Sequence, residues 1–234
     1  MEKRYKKLWV FGDSYSAPYS DFHNQFFGPH YIEWKGYEPL IYPNIISKRL
    51  FISLQNLSRG GLDNYSIFER VCERIEDIGP NDILIIGWSS VIRHRMITKW
   101  DTPLSIVEST LEEDLSTQFD FVSKSTLEEI SVNRMDNKYH YEYELYQWSK
   151  LINQALPHTK IIHWSWDGLA DNYTTRYQTI QTETDSIIND HHLSEGGHQQ
   201  LANTIIKMIN DKNTTKHYLG KFTTTKEKIE KKLL

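Results

Sequence analysis

A chain of 234 residues, 38% hydrophobic, 13% aromatic and 25% charged, is long enough to bury a sizeable core and too apolar to be disordered. Its formal net charge of −4 supplies no global basic field, so nucleic acid is not an expected partner. The single cysteine, Cys72, excludes an internal disulfide and a cysteine-built metal site, and fits a reducing compartment or a viral source.

The basic start, MEKRYKKLWVFGDS, has too short an apolar run for a signal-peptide core. No stretch approaches the roughly 18 apolar residues of a membrane span. A cytoplasmic or virion-associated protein is expected. Residues 7–12, KLWVFG, read as a buried strand that stops at Gly12-Asp13-Ser14. Residues 15–42 follow with Tyr15, Tyr19, Phe22, Phe26, Phe27, Tyr31, Trp34, Tyr37 and Tyr42, and with His23 and His30. They show no period, which predicts a long loop folded onto the body; an aromatic wall or lid beside a site is the functional alternative.

Residues 43–51 read as a helix with Pro43 in its first turn. Residues 53–58, SLQNLS, read as a second strand ending at Gly60-Gly61. From Asn64 to Ile78, Ile67, Val71, Ile75 and Ile78 recur at helical spacing, Ser66 and Glu69 suggest a capping box, and Gly79-Pro80 is the stop. The run DILIIG, 82–87, predicts a strand covered on both faces and ends in Gly87-Trp88-Ser89. Residues 93–138, with Glu108, Glu112, Glu113 and Asp114 close together, read as an acidic insertion or helical cap. A helix is predicted over 139–156, closed by Pro157, then a fourth strand over 160–166. Leu201, Ile205 and Met208 place a last helix at about 195–210. The tail from Lys212 holds seven lysines and two glutamates and reads as a solvated, partly helical extension, with a tether to an anionic partner as its alternative. One domain over 1–211, with insertions at 15–42 and 93–138, and a basic tail over 212–234 are therefore expected.

Strand and helix alternate, which predicts a parallel sheet with helices on both faces. In such sheets sites gather at the carboxyl ends of the strands. Gly12-Asp13-Ser14, Gly60-Gly61 and Gly87-Trp88-Ser89 all fall at such ends.

These residues resemble a family. Gly12-Asp13-Ser14, at the end of an apolar strand near the N-terminus, resembles the first block of the SGNH, or GDSL, hydrolases, in which the serine is the nucleophile. NLSRGGLDNYSI, 56–67, is similar to the second block, whose asparagine and glycine correspond to Asn56 and Gly61; the resemblance makes the Gly61 N–H an oxyanion donor, against the plain alternative of a Gly-Gly turn before a helix. NDHHLSEGGHQQLA, 189–202, is similar to the last block and implies His192 as base and Asp190 as its orienting acid, with Asn189 and Asp185 as weaker alternatives and Ser194 as a helix N-cap. His191, His192 and His198 also suggest a metal cluster, which the serine motif makes unnecessary. The third block departs: the family has Gly-x-Asn, and Ser89 stands here at the asparagine position. A hydroxyl is the shorter donor, and Asn64 is the alternative source of the missing amide.

The resemblance implies a three-layer α/β/α, flavodoxin-like fold and a serine esterase without metal or organic cofactor. Ser14 Oγ is expected within about 4 Å of a His192 ring nitrogen. The substrate expected is a small-molecule or glycan ester, an acetyl ester of a carbohydrate foremost, with the aromatic segment stacking on sugar rings. A non-catalytic binding or virion structural protein that keeps the fold, and an acyltransferase using the same residues, are the competing expectations. Trp88 is expected to pack against a neighbouring helix or to floor an acyl pocket.

Overall fold

The computed structural model describes residues 5–21, 28–90, 93–97, 103–106, 126, 129–130, 132–133, 137–165, 175–182, 192–219 and 222–229. In chain order the elements are β1 (Lys7–Gly12), α1 (Gly28–Lys35), α2 (Tyr42–Leu50), β2 (Ser53–Asn56), α3 (Asn64–Glu73), β3 (Ile83–Trp88), β4 (His94–Ile97), β5 (Pro103–Ile106), α4 (Lys138–Ala155), β6 (Lys160–Ser165), β7 (Thr175–Thr182), α5 (Glu195–Asn210), β8 (Lys216–Tyr218) and β9 (Phe222–Ile229). Short 3-10 turns occupy Tyr19–Asp21 and Ile75–Asp77.

Five strands pair in parallel in the order β2-β1-β3-β6-β8. Successive strand residues point to opposite faces, and both faces here are apolar. Leu8 and Val10 join Ile83, Ile85, Ile162 and Trp164 on one face, against Ile45 and Ile46 of α2 and Leu201 and Ile205 of α5. Trp9 and Phe11 join Leu84, Ile86, Trp88 and Ile161 on the other, against Ile67 and Val71 of α3 and Leu145 and Ile152 of α4. Hence the unbroken apolar runs of β1 and β3: each strand feeds two helical layers. The layers and strand order are those of a flavodoxin-like fold, with the chain turning to opposite sides of β1 through β2 and β3. The crevice above the carboxyl ends of β1 and β3 is the topological switch point.

Those two ends are drawn together by glycine. Gly12 and Gly87 are register partners, and a Cβ on either would lie within 2.5 to 2.6 Å of Ser16 Oγ; on Gly87 it would also meet the Trp164 ring at 2.9 Å. No side chain fits at either position.

Several local expectations change. The second strand stops at Asn56, not at residue 58. The helix from Asn64 ends at Glu73, with Ile75 in the following 3-10 turn. Its cap is Asp63 rather than Ser66: Asp63 accepts from Ser66 N at 2.9 Å and from Ser66 Oγ at 2.8 Å, so the serine serves the cap instead of being it. The aromatic segment 15–42 contains α1, and Tyr19 and Tyr31 bury with Ile41 in a small core of their own while Tyr15 and Tyr42 join the main one. Burial removes those four rings from any stacking wall; Phe22, Phe26, Phe27 and His23 lie outside the described residues. Residues 94–97 and 103–106 of the acidic insertion form an antiparallel pair, and Glu108, Glu112, Glu113 and Asp114 lie outside the described residues.

Among its described residues the tail, expected to be partly helical, forms strands. Residues 216–218 complete the main sheet as β8, and β9 pairs with β7, so the sheet extends past the boundary expected at residue 211. Its lysine works structurally: Lys216 Nζ donates to Leu156 O and Thr159 O at 2.5 and 2.7 Å. Opposite it, buried Lys160 donates to Asp211 O and Thr214 O. Trp88 belongs to the core rather than to a pocket floor. It is fully buried, and its Nε1 donates to His163 Nδ1 at 3.2 Å. His163 Nε2 in turn meets Asn153 Oδ1 at 3.1 Å, and Asn153 Nδ2 donates to Tyr218 Oη at 2.7 Å. Among the described residues no helix is long and apolar enough to cross a membrane.

Candidate active site

The turn after β1 presents Ser14. Asp13 O accepts from Ser16 N and Ala17 N at 3.0 and 3.1 Å, and Asp13 Oδ1 accepts from Tyr15 N at 3.1 Å, the self-bonding geometry that suits aspartate to tight turns. Neighbouring elements hold the turn from outside. Asn56 Nδ2 donates to Ser16 O at 2.8 Å, so this asparagine locks the turn. Ser16 Oγ lies 2.9 Å from Tyr42 Oη, which also accepts from Trp164 Nε1 at 3.1 Å. Ser14 is left 7% exposed at the sheet's carboxyl edge.

His192 precedes the cap of α5. Ser194 Oγ accepts from Gly197 N at 3.1 Å, the expected N-cap. The aromatic segment braces this loop. Tyr19 Oη donates to Leu193 O at 2.8 Å, Glu195 N donates to Tyr31 Oη at 3.0 Å, and Tyr37 Oη donates to the Glu195 carboxylate at 2.9 Å. The Tyr15 ring stacks on the imidazole, with centroids 4.7 Å apart at 26°. Ser14 Oγ and His192 Nε2 lie 2.6 Å apart, inside the expected limit. Nε2 is the ring nitrogen that faces the hydroxyl. Asp190, Asn189, Asp185 and His191 lie outside the described residues. His198 points away from this pair: its Nδ1 accepts from Tyr42 N at 3.3 Å, and burial, then the nearby His192, drives its pKa down to about 3. It is a neutral core acceptor rather than part of a metal cluster with His192.

The second strand end runs beside the first. Leu57 N donates to Val10 O at 2.8 Å and Arg59 N to Gly12 O at 3.0 Å, which carries the chain on to Gly61. Gly61 takes φ +80, a left-handed conformation that favours glycine, with open space where a Cβ would stand. At the third strand end Ser89 is fully buried, and Ser89 N donates to Asn64 Oδ1 at 2.7 Å. Asn64 Nδ2 donates to Ser89 O and Ser90 O at 3.0 and 3.3 Å. The Asn64 amide therefore clamps the third loop to α3 and is not a spare oxyanion donor. Ser89 Oγ is buried without a hydrogen-bond partner among the described residues.

No family model matches the chain, and no curated protein matches it. Among solved structures it is similar to phospholipase A1 from Streptomyces albidoflavus NA297, at 11% identity and a TM-score of 0.39, over 91% of this chain and 78% of that one. It is similar to a carbohydrate esterase at 8% identity and a TM-score of 0.35, over 97% of this chain and 61% of that one. A third is Est2A, an acetyl xylan esterase from the rumen bacterium Butyrivibrio proteoclasticus, at 11% identity and a TM-score of 0.34, over 99% of this chain and 58% of that one. The chain spans less than two thirds of the length of the latter two. These likenesses are remote, and what the site can do follows from its own residues.

A hydroxyl at hydrogen-bond distance from an imidazole nitrogen can be deprotonated by it as it attacks. That pair stands here at the end of β1, the strand that pairs with β2 and β3. Two contributors carry no sequence signal. Tyr15 is hidden because its stacking on His192 joins residues far apart in the chain. Arg93 is one of two arginines in the run VIRHRMI, with nothing local to set it apart from Arg95, and its Nη1 lies 3.7 Å from buried Asp13 Oδ2.

Proposed function

We propose that this chain is a serine hydrolase that cleaves a short-chain ester. The observation that carries the reading is the 2.6 Å contact between Ser14 Oγ and His192 Nε2 at the switch point of the parallel sheet. Ser14 Oγ attacks the ester carbonyl as His192 Nε2 takes its proton. The tetrahedral oxyanion is held by the Gly61 and Ser14 backbone N–H groups and by the Ser89 hydroxyl. His192 then returns the proton to the departing alcohol, leaving an acyl group on Ser14. Water, deprotonated by the same nitrogen, releases the acid. Asp190 orients the ring through Nδ1 and stabilises its charged form.

Two features support these assignments beyond the pair itself. Ser89 Oγ is a donor with no hydrogen-bond partner among the described residues, and it stands at the position where the SGNH pattern has its asparagine amide. Ser14 is only 7% exposed, which favours a small acyl group over a long one. On the alcohol side, Tyr37 is 52% exposed and bonded to Glu195, three residues beyond His192, where its ring can stack on an acetylated sugar.

Purified protein is expected to hydrolyse p-nitrophenyl acetate and an acetylated oligosaccharide, and to act on p-nitrophenyl octanoate at least ~10-fold more slowly in kcat/KM, since a clash is worth about one to three kcal/mol in a tight pocket. No hydrolysis at any chain length would contradict the reading. Octanoate as the best substrate would contradict the small acyl pocket.

A further inference from the structure

Arg93 touches the other two strand ends from the loop that follows β3. Its Nη1 donates to Leu62 O at 3.1 Å and lies 3.7 Å from Asp13 Oδ2, with the side chain 16% exposed. Leu62 follows Gly61, and Asp13 precedes Ser14. Arg93 stands four residues past Ser89, and its N donates to Ser90 O at 3.2 Å. Asp13 is itself buried, and its Oδ2 has no hydrogen bond among the described residues. A buried carboxylate oxygen in that state demands a nearby positive charge. The guanidinium supplies one, while its bond to Leu62 O grips the glycine loop.

We propose that Arg93 is a positioning residue for the ester hydrolysis put forward above, on which this inference rests: it ties the Gly61 loop to the Ser14 turn and sets a positive charge beside them. The SGNH pattern has an asparagine amide at the third strand end, and this chain has Ser89. A hydroxyl reaches less far than an amide, so the placement of the Gly61 N–H relative to Ser14 matters more here. A donor misplaced by ~1 Å can cost ~100-fold in rate. The charge also offsets the buried Asp13 carboxylate, so the turn that carries Ser14 holds no uncompensated negative charge next to the nucleophile. Both contacts run through the one Nη1, and a guanidinium is more weakly hydrated than a lysine ammonium and so is better suited to a site this buried.

The test compares wild type, Arg93→Lys and Arg93→Gln on p-nitrophenyl acetate, with Ser14→Ala as the blank and Tm measured for each protein. Arg93→Gln is expected to lose ~10- to 100-fold in kcat with KM within ~3-fold, and Arg93→Lys to recover part of the loss. Should Arg93→Gln fail to fold, Arg93→Lys alone is expected to show the kcat loss at an unchanged Tm. The inference is overturned if Arg93→Gln retains kcat within twofold of wild type. It is also overturned if both variants lose activity only in step with Tm, or if Arg93→Lys matches wild type. A wild type with no activity above the Ser14→Ala blank overturns the proposed hydrolysis itself, and the role of Arg93 with it.

Discussion

Ser14→Ala is expected to lower kcat for p-nitrophenyl acetate by roughly 10⁴- to 10⁶-fold, His192→Ala by a similar factor, and the double variant no further than the worse single one. The two side chains share one function across 2.6 Å: without the imidazole the hydroxyl is not activated, and without the hydroxyl the imidazole has nothing to deprotonate. Effects of residues that act as a unit do not add. On the proposed mechanism, what survives in each variant is binding and the backbone donors assigned to the oxyanion. Tm should change little in Ser14→Ala, because the turn is held by Asp13, Ser16 and Asn56 rather than by the Ser14 hydroxyl. Stopped-flow or steady-state release of p-nitrophenol reads the effect. Losses that multiply in the double variant would mean that the two residues act independently, and a loss below tenfold in Ser14→Ala would remove it as the nucleophile.

The second large effect is on stability. His163 and His198 are both fully buried, and each has its pKa driven down to about 3, by burial first, then by Lys216 for His163 and by His192 for His198. Each uses Nδ1 to accept a buried N–H, from Trp88 Nε1 and from Tyr42 N. A proton there would both charge the core and strand that donor. The unfolded chain binds protons at these histidines near pH 6.5, and the fold does not. Stability is therefore fully present above about pH 6.5 and is lost as pH falls from there toward 3, with a slope of about 1.4 kcal/mol per pH unit for each histidine. Chemical denaturation between pH 7 and 4 measures this. His198→Gln, which retains an acceptor for Tyr42 N, should reduce the slope by about one proton's worth. An unchanged slope in that variant would show that His198 is protonated in the folded protein.

The parts of this fold that can be read from sequence are those with a physical constraint on every residue. β1 from Leu8 onward and β3 throughout must be apolar because helices cover both faces, and their runs show it. β8 is three residues, Lys-His-Tyr, at the sheet edge; its ring stacks on His163 and its lysine reaches carbonyls, so no apolar pattern marks it. α1 hides for a related reason. Its rings pack singly against the α5 cap and the Tyr19 turn, without a repeating stripe. At the start of α3, Asp63 and Ser66 are both residue types that cap helices, and the choice between them depends on backbone geometry.

The site divides in the same way. Ser14, Gly61 and His192 sit in short local patterns that the strand-end turns themselves require. Asn64 offers a side-chain amide in any reading, and its orientation depends on how α3 lies against the end of β3, a distance that local sequence does not encode. Arg93 is invisible for the same reason: its hydrogen-bond acceptor on Leu62 and its ion-pair partner Asp13 come from different strand ends.

The most direct test of the Ser14–His192 pair as an activated nucleophile is covalent labelling with a fluorophosphonate, read by intact-mass and peptide mass spectrometry. One adduct per chain is expected, on the peptide carrying Gly12-Asp13-Ser14, formed in wild type and lost in His192→Ala. An unlabelled wild type, or an adduct on another residue with esterase activity surviving in Ser14→Ala, would contradict the account.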